Sequence, residues 1–273
     1  MRNACAARAG LAAAALVLGA CRSTPPGPNV VTVTAHDFAF EAPAEIPAGL
    51  TTFRLVNAGP SLHHIQLIKL EDGKTADDYV AALKAGGPPP RWASLAGGPN
   101  PPNAGSSTSA TVDLAPGTYA MICFVPGADG VPHLFKGMVH PFKVTGTAPA
   151  GAAEPKADLT VKLVDFDFQL SAPLTAGKHT IRVENAGSQP HEIAFIRLEP
   201  GKTPADIGAW AEKPAGPLPG AVEGGVSGIM PGAHAWAEVD LSPGDYALMC
   251  FFPDATDGKP HFVHGMAKVV HVS

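Results

Sequence analysis

The sequence predicts an all-β protein made of two tandem β-sandwiches. Short segments rich in Val, Ile, Thr and Phe recur along the chain, and the turn pairs Pro116-Gly117 and Pro243-Gly244 each stand just before one of them. The whole pattern then occurs twice, about 128 residues apart, which is far longer than the repeat of a solenoid. We therefore expect duplicated domains.

The two copies also match outside these segments. The string HDFAF that begins at His36 corresponds to VDFDF at Val164, and Asn57-Ala58-Gly59 corresponds to Asn185-Ala186-Gly187. A stretch with linker composition, TGTAPAGAAEPKAD, separates the copies. The expected boundaries are a first domain at 29–146, a linker at 147–156 and a second domain at 157–273.

Each domain is expected to contain six strands and one short helical insertion. The predicted helices lie near 76–84 and 204–211, because Thr75 and Thr203 each precede an Asp three residues later, as in a capping box. The Pro/Gly-rich stretches that follow the helices predict no regular structure, and we expect them to cover one edge of each sandwich. The predicted strands are 29–34, 50–56, 64–70, 109–114, 117–124 and 137–144, then 158–165, 178–184, 191–198, 234–240, 244–251 and 265–272.

The start of the chain resembles a bacterial lipoprotein signal peptide. An apolar stretch at residues 11–18, too short to span a bilayer, leads into Leu18-Gly19-Ala20-Cys21. The resemblance implies a signal peptide at 1–20, lipidation of Cys21 and a tether at 21–28, with an ordinary secretory signal cleaved elsewhere as the alternative. The expected location is exported and lipid-anchored, on the periplasmic or extracellular face of the cell envelope.

Charge and cysteine content argue against a nucleic-acid-binding protein and against a disulfide-stabilised one. Loss of residues 1–20 would change the formal charge from −5 to −7, which disfavours nucleic acid as a partner. Only Cys123 and Cys250 of the four cysteines fall inside the expected domains, one in each at matched positions. A disulfide framework is therefore not expected, and each thiol needs another role.

Each copy contains the ligand types of a copper centre. Two imidazoles, one thiolate and a weak axial thioether are the donors that suit a copper ion cycling between its two oxidation states. The cysteine also ends a row of alternate residues on a predicted strand, so it should face inward. The candidate ligands are His63, Cys123, His133 and Met138 in the first copy and His191, Cys250, His261 and Met266 in the second.

With these residues the chain resembles the cupredoxins, the Greek-key β-sandwich family of plastocyanin and azurin. Both copies carry an upstream histidine, a Gly-x-Tyr-x-x-x-Cys strand and a late Cys, His, Met loop that ends in Gly-Met. The resemblance implies two tandem cupredoxin-like sandwiches with one type 1-like copper each. Nine and ten residues separate the cysteine from the second histidine, which is longer than the family usually has.

The expected function is single-electron transfer by a membrane-anchored copper protein with a redox partner protein. A metal-free binding module and a copper-holding lipoprotein without redox function are the alternatives. No His-x-His pair occurs, and Cys123 and Cys250 are each followed by Phe. The sequence therefore predicts that the chain is not an enzyme, of the multicopper oxidase or nitrite reductase type or otherwise. A type-2 copper shared between subunits is the alternative, because its ligands would converge only on assembly. His64 and His264 do not recur in both copies, and we expect both at the surface.

Overall fold

The computed structural model describes residues 27–86 and 89–273. The expected signal peptide, Cys21 and residues 21–26 of the tether lie outside the described residues. Within them, no helix is both long and apolar enough to cross a membrane.

The first half of the chain folds into two sheets that face each other. One has the strand order β2-β1-β4-β7 and the other β3-β9-β8-β5-β6, with β1 parallel to β4 and β3 parallel to β9. The strands and helix of this half are β1 (Asn29–His36), β2 (Ala39–Glu41), β3 (Glu45–Pro47), β4 (Gly49–Asn57), β5 (Gln66–Leu70), α1 (Ala76–Lys84), β6 (Ala93–Leu95), β7 (Ser107–Leu114), β8 (Gly117–Ile122) and β9 (Val139–Thr145).

The second half repeats this sandwich. Its sheets have the orders β11-β10-β12-β15 and β14-β13-β16-β17, and β10 is again parallel to its neighbour β12. Its elements are β10 (Leu159–Val164), β11 (Asp167–Leu170), β12 (Gly177–Asn185), β13 (His191–Leu198), α2 (Pro204–Glu212), β14 (Gly220–Ile229), β15 (His234–Leu241), β16 (Gly244–Met249) and β17 (Ala267–Val272). The all-β fold with two tandem cupredoxin-like sandwiches, each with one short helix, is thus confirmed.

Alternation along the strands builds the core. In β1, Val31, Val33 and Ala35 are buried while their neighbours reach the surface. The inward row on β8 runs through Tyr119 and Met121 to Cys123, as expected. Tyr119 also donates its hydroxyl to the carbonyl of Ala115 (2.9 Å), and Tyr246 makes the matching bond to Ser242 (3.1 Å). These bonds hold the turn before each cysteine strand in place.

Both helices begin where the sequence predicts. The Asp78 carboxylate accepts from the Thr75 backbone N–H at 2.9 Å, and the Thr75 hydroxyl accepts from the Asp78 N–H at 3.1 Å. The Asp206 carboxylate accepts from the Thr203 N–H at 2.9 Å in the same way. Both helix starts thus have an Asp side chain bonded back to the N-cap residue, as in a capping box.

The two halves share one continuous sheet. Strand β7 of the first half pairs antiparallel with β15 of the second, with Thr111 opposite Trp236 and Ser109 opposite Glu238. This joins two four-stranded sheets into one of eight strands. The edge strand of each sandwich is thereby covered by its counterpart, and the relative position of the halves is fixed by backbone hydrogen bonds.

The prediction of no regular structure was wrong for both Pro/Gly-rich stretches. The first contains the short strand β6, which pairs with β5. The second departs further from the prediction. It contains β14, a ten-residue strand that pairs with β13 through two irregular steps. The corresponding stretch of the first half runs beside it: Gly97 N–H donates to the Gly228 carbonyl (3.0 Å), and Ser227 N–H donates to that of Gly98 (2.9 Å). The two stretches bind each other between the halves and do not simply cover sandwich edges.

Candidate metal centres

The eight predicted ligands occupy matching positions in the two sandwiches. Cys123 and Cys250 directly follow the central strands β8 and β16, and His133 and His261 each begin a short 3-10 turn. His63 precedes β5, and His191 is the first residue of β13. The methionines directly precede the last strand of each half. All eight side chains are fully buried, with 0% exposure.

The long loop between cysteine and histidine closes on itself. In the first half Pro126 bridges Pro132, and the His133 N–H donates to the Val125 carbonyl at 3.0 Å. In the second half Pro253 bridges Pro260, and the His261 N–H donates to Phe252 at 2.8 Å. The extra residues therefore form a small loop that is closed by an antiparallel bridge at its base. This explains how loops of different length place the histidine at the same position.

Backbone bonds hold the methionine beside the other ligands. The Met138 N–H donates to the His133 carbonyl (3.0 Å), and the Cys123 N–H donates to the Met138 carbonyl (3.3 Å). The same two bonds, at 3.0 and 3.2 Å, connect Met266 with His261 and Cys250. Four residues separate the histidine from the methionine in each half. They are the rest of the 3-10 turn that the histidine begins and the glycine that ends it.

The two histidines and the cysteine of each half converge through specific atoms. In the first centre the Nδ1 atoms of His63 and His133 are 3.1 Å apart, and the Cys123 Sγ is 3.6 Å from His133 Nδ1. In the second, His191 and His261 Nδ1 are 3.0 Å apart, and Cys250 Sγ is 3.3 Å from His261 Nδ1. Each group can supply two nitrogens and one sulfur within 4.8 Å of one another.

A carboxylate orients the first histidine of each centre. Asp37 Oδ1 lies 2.6 Å from His63 Nε2, and Asp165 Oδ1 lies 2.8 Å from His191 Nε2. Burial works to raise the pKa of Asp37, but its hydrogen bonds with His63 and Ser61 outweigh burial and leave that pKa below its usual value. An ionised Asp37 accepts a hydrogen bond from His63 Nε2–H, so His63 Nδ1 keeps a free lone pair directed inward.

The Asn-Ala-Gly turn is part of this arrangement. A Cβ added at Gly59 would lie 2.6 Å from Asp37 Oδ1, and one added at Gly187 would lie 2.5 Å from His191 Nε2. The preceding asparagine is buried and accepts from the glycine N–H at 3.0 Å in both halves. Only glycine leaves room for the aspartate to reach the histidine, because any side chain would stand in the path of that hydrogen bond.

Sequence reasoning missed Asp37 and Asp165 as functional residues. Both stand in the repeated strings at His36 and Val164, and each precedes its histidine by 26 residues. A repeated Asp at constant distance from a repeated His was the available signal. The prediction that His64 lies at the surface was wrong as well: it is half-buried, and its Nε2 accepts from the Phe124 N–H at 3.0 Å.

Glu192 takes the place of His64 in the second half. Its carboxylate accepts from the Phe251 N–H at 3.0 Å, and its backbone N–H lies 3.4 Å from Cys250 Sγ. Burial raises the pKa of Glu192 to about 7 and lowers that of His64 to about 3. The two centres therefore have the same ligand types and different buried neighbours.

Burial sets the protonation of the ligands. It raises the pKa of the Cys123 thiol to about 12 and raises that of Cys250 as well. It lowers the pKa of His133 and of His261 to about 4, so both imidazoles are neutral at neutral pH. Neutral imidazoles are competent metal ligands, whereas a buried thiol needs a nearby cation to become a thiolate.

The donor set fits a metal ion better than it fits a metal-free core. His133 Nε2 and His261 Nε2 are buried without a hydrogen-bond partner among the described residues. If the second histidine of a centre carries its proton on Nε2, its Nδ1 lone pair faces the Nδ1 lone pair of the first histidine. If it carries the proton on Nδ1, its Nε2 is a buried acceptor without a partner. An ion among the three ligand atoms would accept both Nδ1 lone pairs and the thiolate. The His–Cys–His groups thus fit copper binding.

Solved structures of copper proteins match the chain. Auracyanin A, a "blue" copper protein from Chloroflexus aurantiacus, is 25% identical, and the match covers 44% of this chain and 100% of that one with a TM-score of 0.32. Two longer structures match 89% of this chain at 13% identity. They are a copper-containing nitrite reductase from Thermus scotoductus (61% of that chain, TM-score 0.23) and a blue copper oxidase from Nitrosomonas europaea (86%, TM-score 0.26). No protein-family model and no curated protein matches the sequence.

These structures correct one expectation from the sequence. The prediction that the chain is not an enzyme is corrected, because the solved structures that match 89% of the chain include a copper-containing nitrite reductase and a blue copper oxidase. The fold itself rests on the two sandwiches and their strand order, and each sandwich brings a buried His–Cys–His group together at the end of its central strand. The chain folds as two tandem cupredoxin-like β-sandwiches.

Proposed function

We propose that the chain binds one copper ion in each half, in a type 1-like centre, and carries single electrons between redox partners at a membrane. The observation that carries the proposal is the buried His–Cys–His group with its aspartate, present twice with nearly equal distances. A bound copper ion would supply a one-electron couple.

The chain's own residues would prepare such a centre. Asp37 and Asp165 fix the orientation of His63 and His191, and the backbone bonds of the 3-10 turn fix His133, His261 and the methionines. Because all ligand side chains are fully buried, water is excluded from them. A rigid and dry ligand set changes little when charge is added or removed, which is the property that electron transfer requires.

The experiment is copper loading of the full chain, with metal content and the absorption spectrum recorded together. We expect two copper ions per chain and an intense band at about 600 nm from the thiolate. Cys123→Ser and Cys250→Ser should each remove one copper and about half of the band, and each serves as the control for the other half. Copper without the band would favour a copper-holding protein without redox function. Unchanged copper content in both variants would overturn the proposed sites.

Anchoring through Cys21 belongs to the same proposal. Its support is the Leu-Gly-Ala-Cys string and the Pro/Gly-rich tether after it. Expression of the chain and of Cys21→Ala in a bacterium that processes lipoproteins separates the alternatives. The unchanged chain should enter the detergent phase and the variant the aqueous phase. Equal partitioning of the two would show that Cys21 carries no anchor.

A further inference from the structure

A cavity of about 530 Å³ lies between the two halves of the molecule. Its walls are mainly apolar and come from both halves, with aromatic side chains from residues Tyr79, Phe124, Trp210, Phe251, Phe252 and Phe262. None of the candidate metal ligands lines it. A cavity of this size falls within the range of about 300 to 1,000 Å³ that is usual for binding sites of small organic molecules.

Two polar side chains at equivalent positions face this cavity. His64 follows His63 in the first half, and Glu192 follows His191 in the second; both line the cavity. Each accepts a hydrogen bond from the backbone N–H of the residue after a candidate ligand cysteine. The cavity is therefore separated from each metal centre by a single peptide unit.

Both side chains have hydrogen-bonding capacity left over. His64 uses Nε2 as an acceptor, so in the neutral ring the proton sits on Nδ1, which has no partner among the described residues. Glu192 is 7% exposed and uses Oε1 to accept from Phe251, while Oε2 makes no hydrogen bond within the described part of the chain. The cavity thus presents the His64 donor and the Glu192 acceptor between mainly apolar walls, which also include the polar side chains of Gln66, Asn100 and Glu212.

We propose that this cavity binds a small aromatic alcohol, whose ring packs between the aromatic walls and whose hydroxyl donates to the Glu192 carboxylate, with His64 as a second possible partner. A hydroxyl is both donor and acceptor, so it can satisfy either group, whereas a carbonyl can satisfy only the His64 donor and an ammonium only the Glu192 acceptor. The six aromatic side chains favour a flat ring, through offset and edge contacts.

The test uses the metal-free full chain and 1-naphthol as the probe, measured by calorimetry. We expect one equivalent to bind, and 1-methoxynaphthalene, which cannot donate to Glu192, to bind about tenfold more weakly. Because no copper is present, the result is independent of the proposed function: a chain that binds copper and no naphthol overturns only the cavity proposal. Absence of saturable naphthol binding, or equal affinity for the two probes, would overturn it.

Variants on α2 provide a matched pair. Ala211 lines the cavity, whereas Ala209 lies exposed on the same helix. Ala211→Trp should weaken naphthol binding at least about tenfold by filling the cavity, and Ala209→Trp should leave it unchanged. If Ala211→Trp does not fold, Glu192→Gln serves in its place, since its side-chain oxygen can still accept from Phe251. In that variant the preference for hydroxyl over methoxy should fall close to unity, and a preserved preference would contradict the proposal.

Discussion

Asp37 and Asp165 give the two centres their most specific feature at the residue scale. Each carboxylate is hydrogen-bonded to Nε2 of one histidine, and Gly59 or Gly187 leaves the space for that contact. A partner on the outer nitrogen fixes both the tautomer and the ring orientation of a metal-binding histidine. The ligands and their support are therefore built from four short segments that are distant in sequence.

Gly187→Ala tests this support. The new Cβ would lie 2.5 Å from His191 Nε2 and 2.6 Å from Asp165 Oδ1, so one of the two groups must move. We expect copper affinity at the second centre to fall by about 10- to 100-fold. The first centre is unchanged and serves as an internal control in the same molecule. Competition with a copper chelator measures both, and an unchanged affinity of the second centre in this variant would contradict the role given to the aspartate.

Copper affinity should also depend on pH. Binding at the first centre requires the Cys123 thiolate, and burial raises the pKa of that thiol to about 12. Below this pKa each rise of one pH unit increases the thiolate fraction tenfold, so the apparent affinity for Cu(I) should rise about tenfold per unit from about pH 6 to pH 10. Burial lowers the pKa of His133 to about 4, so this imidazole adds no slope in that window. Anaerobic chelator competition measures the slope, and a plateau near pH 9 would show an ordinary thiol.

The candidate ligands could be picked out from the sequence, whereas the residues that support them could not. A soft donor set that recurs at matched positions stands out because each residue type is chemically distinctive. Asp37 is a common surface residue, and nothing local shows that it contacts a histidine 26 residues later. The tertiary fold creates that contact by placing the β1–β2 turn beside the turn before β5.

Two elements decide how the centres and the halves are arranged. The loop from cysteine to histidine closes through paired prolines, so its length can vary while the 3-10 turn stays in place. Strand β14 carries Gly224 and Gly225 at positive φ, where the strand bends around β13 and meets the first half. Close approach of backbones explains why this strand is rich in glycine.

Gly225→Ala should destabilise the junction between the halves. A Cβ there would lie 2.0 Å from the Ile193 carbonyl oxygen and 3.0 Å from Asn100 Nδ2, and φ is already +136°. We expect the free energy of unfolding to fall by more than about 2 kcal/mol. Gly232→Ala, at φ +77° with no atom within 4 Å, controls for backbone strain alone and should cost about 1 kcal/mol. Denaturant unfolding compares the two variants, and equal losses would show that the close approach is unimportant.

Strand β14 also shows where prediction from composition fails. Glycine and proline usually mark loops, and β14 has four glycines in ten residues. Its strand geometry comes from pairing with β13 and from contacts to the other half, which no local pattern reports. The helices were easier, because their capping boxes are local and involve only residues three apart.

On the scale of the whole molecule, the duplicated domains form one body around a shared sheet and a shared cavity. Periodicity predicts strands and duplication predicts two sandwiches, but neither indicates which strand edges meet. The β7–β15 pairing and the bond from Asn100 Nδ2 to the Ile193 carbonyl (2.7 Å) set that arrangement.

A spectroelectrochemical titration of the copper-loaded chain tests the central claim most directly. The absorption band at about 600 nm and the charge passed are recorded together, in both directions, on the full chain. The two proposed centres predict that the band disappears and returns reversibly with two electrons per chain, and with one in Cys250→Ser. A band that does not respond to potential, or bound copper that passes no reversible charge, would contradict electron transfer by this protein.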